Sequence, residues 1–169
     1  MKFLDNIIER VPEYQTLKNV VSRGNPNVAV TGLTGIHKAH IINSLPFSQK
    51  MGALVVAYDE HEAQVLVNDL TSMGKSALFY PLRDFIFRDI NSKSREYEHQ
   101  RINVLCKMLD NGVDVVVTTI DALSQFTIPP HILKQATVTM ECGTEISIDT
   151  GKSIYKNQFR YFCINSRTI

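Results

Sequence analysis

The residues with the clearest potential for chemistry lie at positions 27–40, where an apolar stretch, a glycine turn and a helix start follow one another. This order is typical of a P-loop, in which backbone N–H groups at a helix N-terminus hold phosphates. The P-loop signature is G-x-x-x-x-G-K-S/T, and Gly32 and Lys38 stand in its register. His37 replaces the second glycine, and Ala39 replaces the Ser or Thr that would bind Mg²⁺. The stretch therefore predicts the shape of a nucleotide site without its chemistry.

Two interpretations of this loop differ in whether it binds a nucleotide. In the first, Gly32, Gly35 and Lys38 bind ATP, and the chain is a P-loop ATPase or helicase-type domain that binds ATP and DNA. In the second, the turn persists because the connection from a strand to a helix needs it. Two of the four signature positions are replaced, so we favour the second and expect no catalytic residue, no cofactor and no ATP hydrolysis.

A cluster of acidic residues at positions 59–62 follows an apolar run and resembles the Walker B box that holds Mg²⁺. The alternative is a helix N-terminus, because Asp59 is a preferred N-cap residue and Glu62 lies three positions later, as in a capping box. We favour the cap. For metals, His37 and His40 lack an evident third ligand, so we expect no metal site.

Three further groups of residues have both a functional and a structural interpretation. The polar residues of the helix at 94–110 could form a catalytic pair, although a solvated helix face is favoured; they are Glu96, Glu98, His99 and Arg101. The loop at 83–89 alternates aromatic and charged residues, as a contact loop would, or folds its aromatics back onto the core. The basic, aromatic segment 151–169 could stack on single-stranded nucleic acid or form a disordered end.

The composition predicts a soluble globular domain of ordinary size. The chain has 169 residues, of which 44% are hydrophobic and 21% charged, with a formal net charge of +1 that does not indicate nucleic acid. The three cysteines, Cys106, Cys142 and Cys163, are far apart and odd in number, which suits a reducing compartment. The N-terminus lacks the apolar run of a signal peptide, and no stretch approaches the ~20 apolar residues of a membrane span. We therefore expect a cytoplasmic protein that does not contact membranes.

Hydrophobic periodicity supplies the elements that would position these residues. Apolar runs predict strands at 28–31, 53–58, 76–80 and 113–119, separated by helices at 38–45, 59–73 and 94–110. This alternation predicts a doubly wound α/β domain with a parallel sheet. From residue 136 the pattern changes, and 137–141 and 145–148 predict a hairpin or the edge of another module.

The order and spacing of these motifs resemble the N-terminal, UvrB-like region of the bacterial transcription-repair coupling factor (Mfd) family. The resemblance covers roughly residues 1–150, with no single motif that would suffice alone. Its matching segments are the degenerate loop 32–38, the strand and acidic cluster 55–63, the segment 80–84, the helix 94–105, the strand 115–123 and the turn 143–146.

The resemblance implies a RecA-like, P-loop NTPase-type α/β domain at 1–126 with a degenerate phosphate loop, followed at 127–150 by the start of an inserted, β-containing domain. In that family the inserted domain contacts UvrA and brings nucleotide-excision repair to stalled RNA polymerase. The family's ATP-dependent DNA translocase motor lies much farther along the chain. The implied role is a non-catalytic scaffold with UvrA as partner, and RNA polymerase and DNA would be contacted only through other domains.

The similarity ends abruptly at Thr150, where the family pattern of a helix and a glycine-rich strand does not continue. This departure predicts a truncated gene, a frameshift product or a fragment, with a natural short protein as the alternative. No UvrA-contact residue is therefore assigned, and the residues that bind a partner remain unknown.

Overall fold

The computed structural model describes residues 8–23, 27–45, 52–83 and 94–137. Its elements follow in chain order: helix α1 (Pro12–Ser22), helix α2 (Gly35–Ser44), strand β1 (Ala53–Ala57), helix α3 (Glu60–Ser72), strand β2 (Ala77–Tyr80), helix α4 (Ser94–Leu109), strand β3 (Val115–Thr119), helix α5 (Ile120–Leu123) and helix α6 (Pro130–Ala136).

The described strands form one parallel sheet in the order β1-β3-β2, which confirms the predicted α/β class. Strand β3 is central, and Val115 pairs with both Ala53 and Ala77. All five β3 residues are buried, because both edges are paired and helices cover its faces. An uninterrupted Val-Val-Val run suits such a strand, since a strand buried on both faces has no polar side.

Helices cover both faces of the sheet. Helix α3 buries Ala63, Leu66, Val67 and Leu70 against one face, in a cluster that includes Phe79, Val115 and Val117. On the other face, Val104 of α4 packs in a second cluster with Tyr80 and Val116. This layered arrangement agrees with a RecA-like fold, whose full topology stays a prediction.

The prediction of a strand at 28–31 is wrong. Residues 27–34 are described and contain no strand. The stretch pairs with neither outer edge of the described sheet, and Val28 and Val30 are each about half exposed. Instead of joining the sheet, the stretch lines a groove of about 850 Å³ with residues of α1 and α2. A four-residue apolar run therefore does not by itself make a strand.

The N-terminal ends of the three strands are fastened to one another by hydrogen bonds. The backbone N–H of Ala53 donates to the carbonyl oxygen of Asp114 at 2.8 Å. The Asp114 carboxylate accepts the Ser76 N–H at 2.8 Å, and the Ser76 hydroxyl donates to the Gly112 carbonyl at 2.9 Å. Asp114 thus sets the register of β1 and β2 against β3.

Several sequence predictions concern residues outside the described ranges. These are the hairpin at 137–148, apart from Thr137, the loop after Arg83, and the segment 151–169. Buried Cys106 is disulfide-bonded, which the separation of the three cysteines did not predict. Within the described ranges, no helix has both the length and the apolar character to cross a membrane.

Candidate functional site

The P-loop-like stretch forms a turn into α2, and its two glycines serve different purposes. Gly32 has a φ of +80°, a left-handed conformation that glycine adopts at no steric cost. Gly35 is the first residue of α2 and has no such requirement. A Cβ at either position would meet no atom within 4 Å. The turn itself therefore accounts for a glycine at position 32.

No side chain caps the start of helix α2, in contrast to the start of α3. A histidine also stands where a P-loop has glycine. Thr34 occupies the N-cap position of α2, but its side chain does not cap the helix. Its hydroxyl instead lies 2.9 Å from Nδ1 of His37. The His37 side chain at this turn thus contacts the hydroxyl of Thr34. This is the position at which a P-loop needs an open backbone for phosphate.

The lysine of the loop is engaged within the protein. Lys38 Nζ lies 2.6 Å from Glu62 Oε1, and the other oxygen of Glu62 accepts the Tyr58 backbone N–H at 3.1 Å. The hydrogen bond from Lys38, and after it the one from Tyr58, lowers the pKa of Glu62 below its usual value. A carboxylate of α3 therefore holds the ammonium group that would meet phosphate in a P-loop.

Ala39 shows why the missing hydroxyl is compatible with the fold. Its side chain is fully buried in the core cluster, with Ala57 and Leu66 among the other members. A Ser or Thr hydroxyl at this position would face apolar neighbours, where an unpaired polar group is costly. The residue that would carry Mg²⁺ in a P-loop is here part of the hydrophobic core.

The acidic cluster at 59–62 caps a helix, as predicted. Asp59 has an extended backbone, and its carboxylate accepts the Glu62 N–H at 2.7 Å at the start of α3. Glu60 accepts the Leu82 N–H at 3.3 Å. These carboxylates are hydrogen-bonded to backbone groups and to Lys38. Across the described ranges, no three His, Cys, Asp or Glu residues come together as metal ligands could.

The structure separates the polar residues of α4 that the sequence grouped together. Arg101 is buried, with 6% of its surface exposed, and its Nη1 donates to the Pro81 carbonyl at 2.7 Å. Glu98 forms an ion pair with Arg83 at 2.7 Å. The prediction of a solvated face is therefore wrong for Arg101, which lies three residues before buried Val104 on the inner side of the helix. The three-residue spacing from Val104 is the sequence signal that could have predicted the burial of Arg101.

Comparison with known proteins finds relatives that share one name. The chain is 23% identical over 151 residues to the transcription-repair-coupling factor of Bacillus subtilis strain 168, which covers 86% of this chain and 13% of the relative. The curated relatives that the chain matches are named transcription-repair-coupling factors. The Staphylococcus haemolyticus and Staphylococcus epidermidis factors are each 22% identical, over 86% and 85% of this chain and 12% of their own lengths.

The chain thus spans about one eighth of the coupling factors that it matches. No family model matches the chain, and no solved structure matches it. The comparison confirms the resemblance read from the sequence motifs.

Proposed function

We propose that this chain is a non-catalytic scaffold segment of a transcription-repair coupling factor, which helps to bring UvrA to stalled RNA polymerase. The observation that carries the non-catalytic part is the 2.6 Å ion pair between Lys38 and Glu62. It supplies the P-loop lysine with an internal anion. The buried Ala39 and the His37 side chain support the same conclusion.

The partner in this proposal rests on family similarity. The relatives are named for coupling transcription to repair, and the sequence motifs resemble the UvrB-like region that precedes the UvrA-contacting insertion. A role through protein contact needs a stable folded surface and no catalytic group. The parallel sheet, with helices on both faces, supplies such a surface.

ATP binding provides the first test, because it separates the scaffold from a P-loop ATPase. We expect 1 mM ATP with Mg²⁺ to leave the melting temperature unchanged in the wild-type chain and in Lys38→Met. A site with a Kd of about 10 μM would stabilise the chain by about 2.7 kcal/mol at that concentration, which corresponds to a shift of several degrees. A shift in the wild type that Lys38→Met abolishes would contradict the scaffold proposal and favour the ATP-binding alternative.

Binding to purified UvrA tests the partner. The full chain is immobilised, and UvrA is titrated with the full-length Bacillus subtilis coupling factor as a positive control and competitor. We expect saturable binding that the full-length factor competes away. Binding by the full-length factor, with none by this chain at about 100 μM, would remove UvrA from the proposal and leave the ATP result standing.

The Lys38–Glu62 pair also predicts a pH dependence. The pKa of Glu62 is lowered in the folded state, so its contribution to stability is present above the unfolded pKa and is lost as the pH falls through the folded pKa. We expect Glu62→Gln to cost about 0.2–1 kcal/mol at pH 7, as for other exposed pairs. The difference from wild type should shrink as the pH falls below about 4.5.

Denaturant unfolding of wild type, Glu62→Gln, Lys38→Met and the double variant at several pH values measures this effect. The two single substitutions should be non-additive at pH 7, because each removes the same contact. Additive losses at pH 7, or a difference that grows in acid, would show that the ion pair does not contribute to folding.

A further inference from the structure

The outer edge of β1 offers backbone groups to which another strand can bind. Among the described strands, β1 pairs with central β3 alone, and Ala53 donates its N–H toward β3, to the Asp114 carbonyl. Successive residues of a strand direct their backbone groups to opposite edges, so the N–H and C=O of Leu54 and Val56 point away from β3. These four groups have no hydrogen-bond partner among the described residues. They form a short template for a further strand.

The two outer edges of the described sheet differ in exposure. All four residues of β2 are buried or half-buried. In β1, by contrast, Leu54 is 57% exposed and Val56 is 48% exposed. The β1 sequence, Ala-Leu-Val-Val-Ala, contains no charged residue and no proline, which are features that commonly protect a free edge. The edge of β1 is therefore the one that is open to a partner.

A cavity of about 530 Å³ adjoins this edge on the α3 side of the sheet. It lies between β1, α2 and α3, because its lining includes residues of all three elements. Val56 contributes to the lining, so the cavity reaches the outward-directed residues of the strand. Its apolar residues outside β1 include Leu33, Ile41 and Ile42. An added strand would therefore have space and an apolar surface on this side.

The other face of β1 also presents apolar side chains. Ala53 and Val55 pack against the core cluster under α3, so the side chains of Leu54 and Val56, which alternate with them, lie on the opposite face. Tyr58 continues this row and is 90% exposed. An added strand would cover these three side chains. It would thus meet apolar surface on both of its faces.

The charges at the edge favour an uncharged segment. Among the described residues that line the cavity, Lys38 and Glu62 carry the charges, and they pair with each other at 2.6 Å. Glu62 also accepts the Tyr58 N–H at 3.1 Å, so strand pairing ends before this residue. A charged side chain that entered the cavity would lose its hydration without gaining an unpaired partner.

We propose that the outer edge of β1 binds an extended, uncharged segment of a protein partner as an added antiparallel strand. Leu54 and Val56 each exchange two hydrogen bonds with a residue of this segment. Its side chains alternately enter the cavity beside α2 and cover the exposed row of β1. Because the segment is apolar on both faces, Val and Ile suit it best. A second copy fits less well, since antiparallel pairing of two β1 strands places both α2 helices over the same edge.

Amide hydrogen exchange of the full chain, measured by NMR, tests whether the edge is free. We expect the Leu54 and Val56 amides to exchange at least about tenfold faster than those of Val55 and Ala57, which point toward β3. Slow exchange of Leu54 and Val56 in the chain alone would show that the edge is already covered. Protection that rises with protein concentration would assign the edge to a second copy. Either result would overturn the proposal.

A capped Thr-Val-Ile-Val-Thr peptide is the probe for the added strand. We expect it to slow exchange of the Leu54 and Val56 amides in a saturable way. The control is Thr-Val-Glu-Glu-Thr, in which one of the two adjacent carboxylates faces the cavity in either orientation. It should bind at least about tenfold more weakly. Equal affinities for the two peptides, or binding that leaves both amides unprotected, would contradict strand addition.

Substitution of Val56 tests the role of the backbone. Val56→Pro removes one outward N–H and spares the hydrogen bonds to β3, as proline is tolerated on edge strands whose N–H faces solvent. We expect an unchanged circular dichroism spectrum and peptide binding weakened at least about fivefold, through the lost hydrogen bond. Val56→Thr keeps the N–H and a β-branched side chain, and should bind like wild type. Equal peptide affinities for the two variants would also sink the proposal, and the exchange measurements decide it should Val56→Pro fail to fold.

Discussion

Replacing Leu70 by Ala is expected to lower the free energy of unfolding by about 2–5 kcal/mol, the range for emptying a buried leucine site. Leu70 lies on α3, is fully buried, and belongs to the cluster that joins this helix to Phe79, Val115 and Val117. These neighbours belong to two paired strands, which cannot move inward to fill the cavity without breaking the sheet. Urea unfolding followed by circular dichroism measures the loss.

Val65→Ala on the same helix is the matched control. Val65 is 43% exposed, so its truncation leaves little cavity, and alanine is the better helix former by a few tenths of a kcal/mol. We expect a change within about 0.5 kcal/mol, as for other surface substitutions. Comparable losses in the two variants would mean that the inner face of α3 is not packed against the sheet as described.

Local sequence patterns predicted the elements whose stabilising contacts are local. The capping residues Asp59 and Glu62, with the apolar positions that follow them, predicted α3 and its buried side. The β-branched run at 113–119 predicted the central strand. In these cases the residues that determine the element are neighbours in the sequence, and the structure agrees within one or two residues at each end.

Predictions failed where the deciding contact lies far away in sequence. The apolar stretch at 28–31 is not a strand: β1 and β2 each have an unpaired outer edge among the described strands, but the stretch lies beside residues of α1 and α2 instead. Arg101 is buried because Pro81 and Gln125, 20 and 24 residues away, supply acceptors. Side-chain type alone assigned it to the solvent, since arginine is seldom buried without partners.

The same distinction applies to the candidate site. The replaced positions His37 and Ala39 are visible in the sequence, and the prediction against nucleotide chemistry rests on them. The engagement of Lys38 by Glu62 joins residues 24 positions apart on two helices, so only the structure shows it. It changes the explanation of the loop, because the lysine has an ionic partner within the protein.

Replacing Gly52 by Ala is expected to lower the free energy of unfolding by about 1–3 kcal/mol, as for other overpacked sites. A Cβ at Gly52 would lie 3.0 Å from the Val113 carbonyl oxygen and 3.1 Å from that of Asp114. Both are backbone atoms, and the Asp114 oxygen accepts the Ala53 N–H that begins the pairing of β1 with β3. The strand must move away from its partner, so the Ala53 amide should also exchange faster with solvent.

Gly35→Ala is the control, because it makes the same substitution at the start of α2 in the P-loop-like turn. A Cβ there meets no atom within 4 Å, and the backbone is helical, so we expect the chain to gain up to about 1 kcal/mol. Stability is measured by urea unfolding, and exchange of the Ala53 amide by NMR. A loss at Gly35 as large as that at Gly52 would show that the turn needs its glycine for more than chain geometry, and would weaken the scaffold interpretation. A neutral Gly52→Ala would show that the first rung between β1 and β3 can shift without cost.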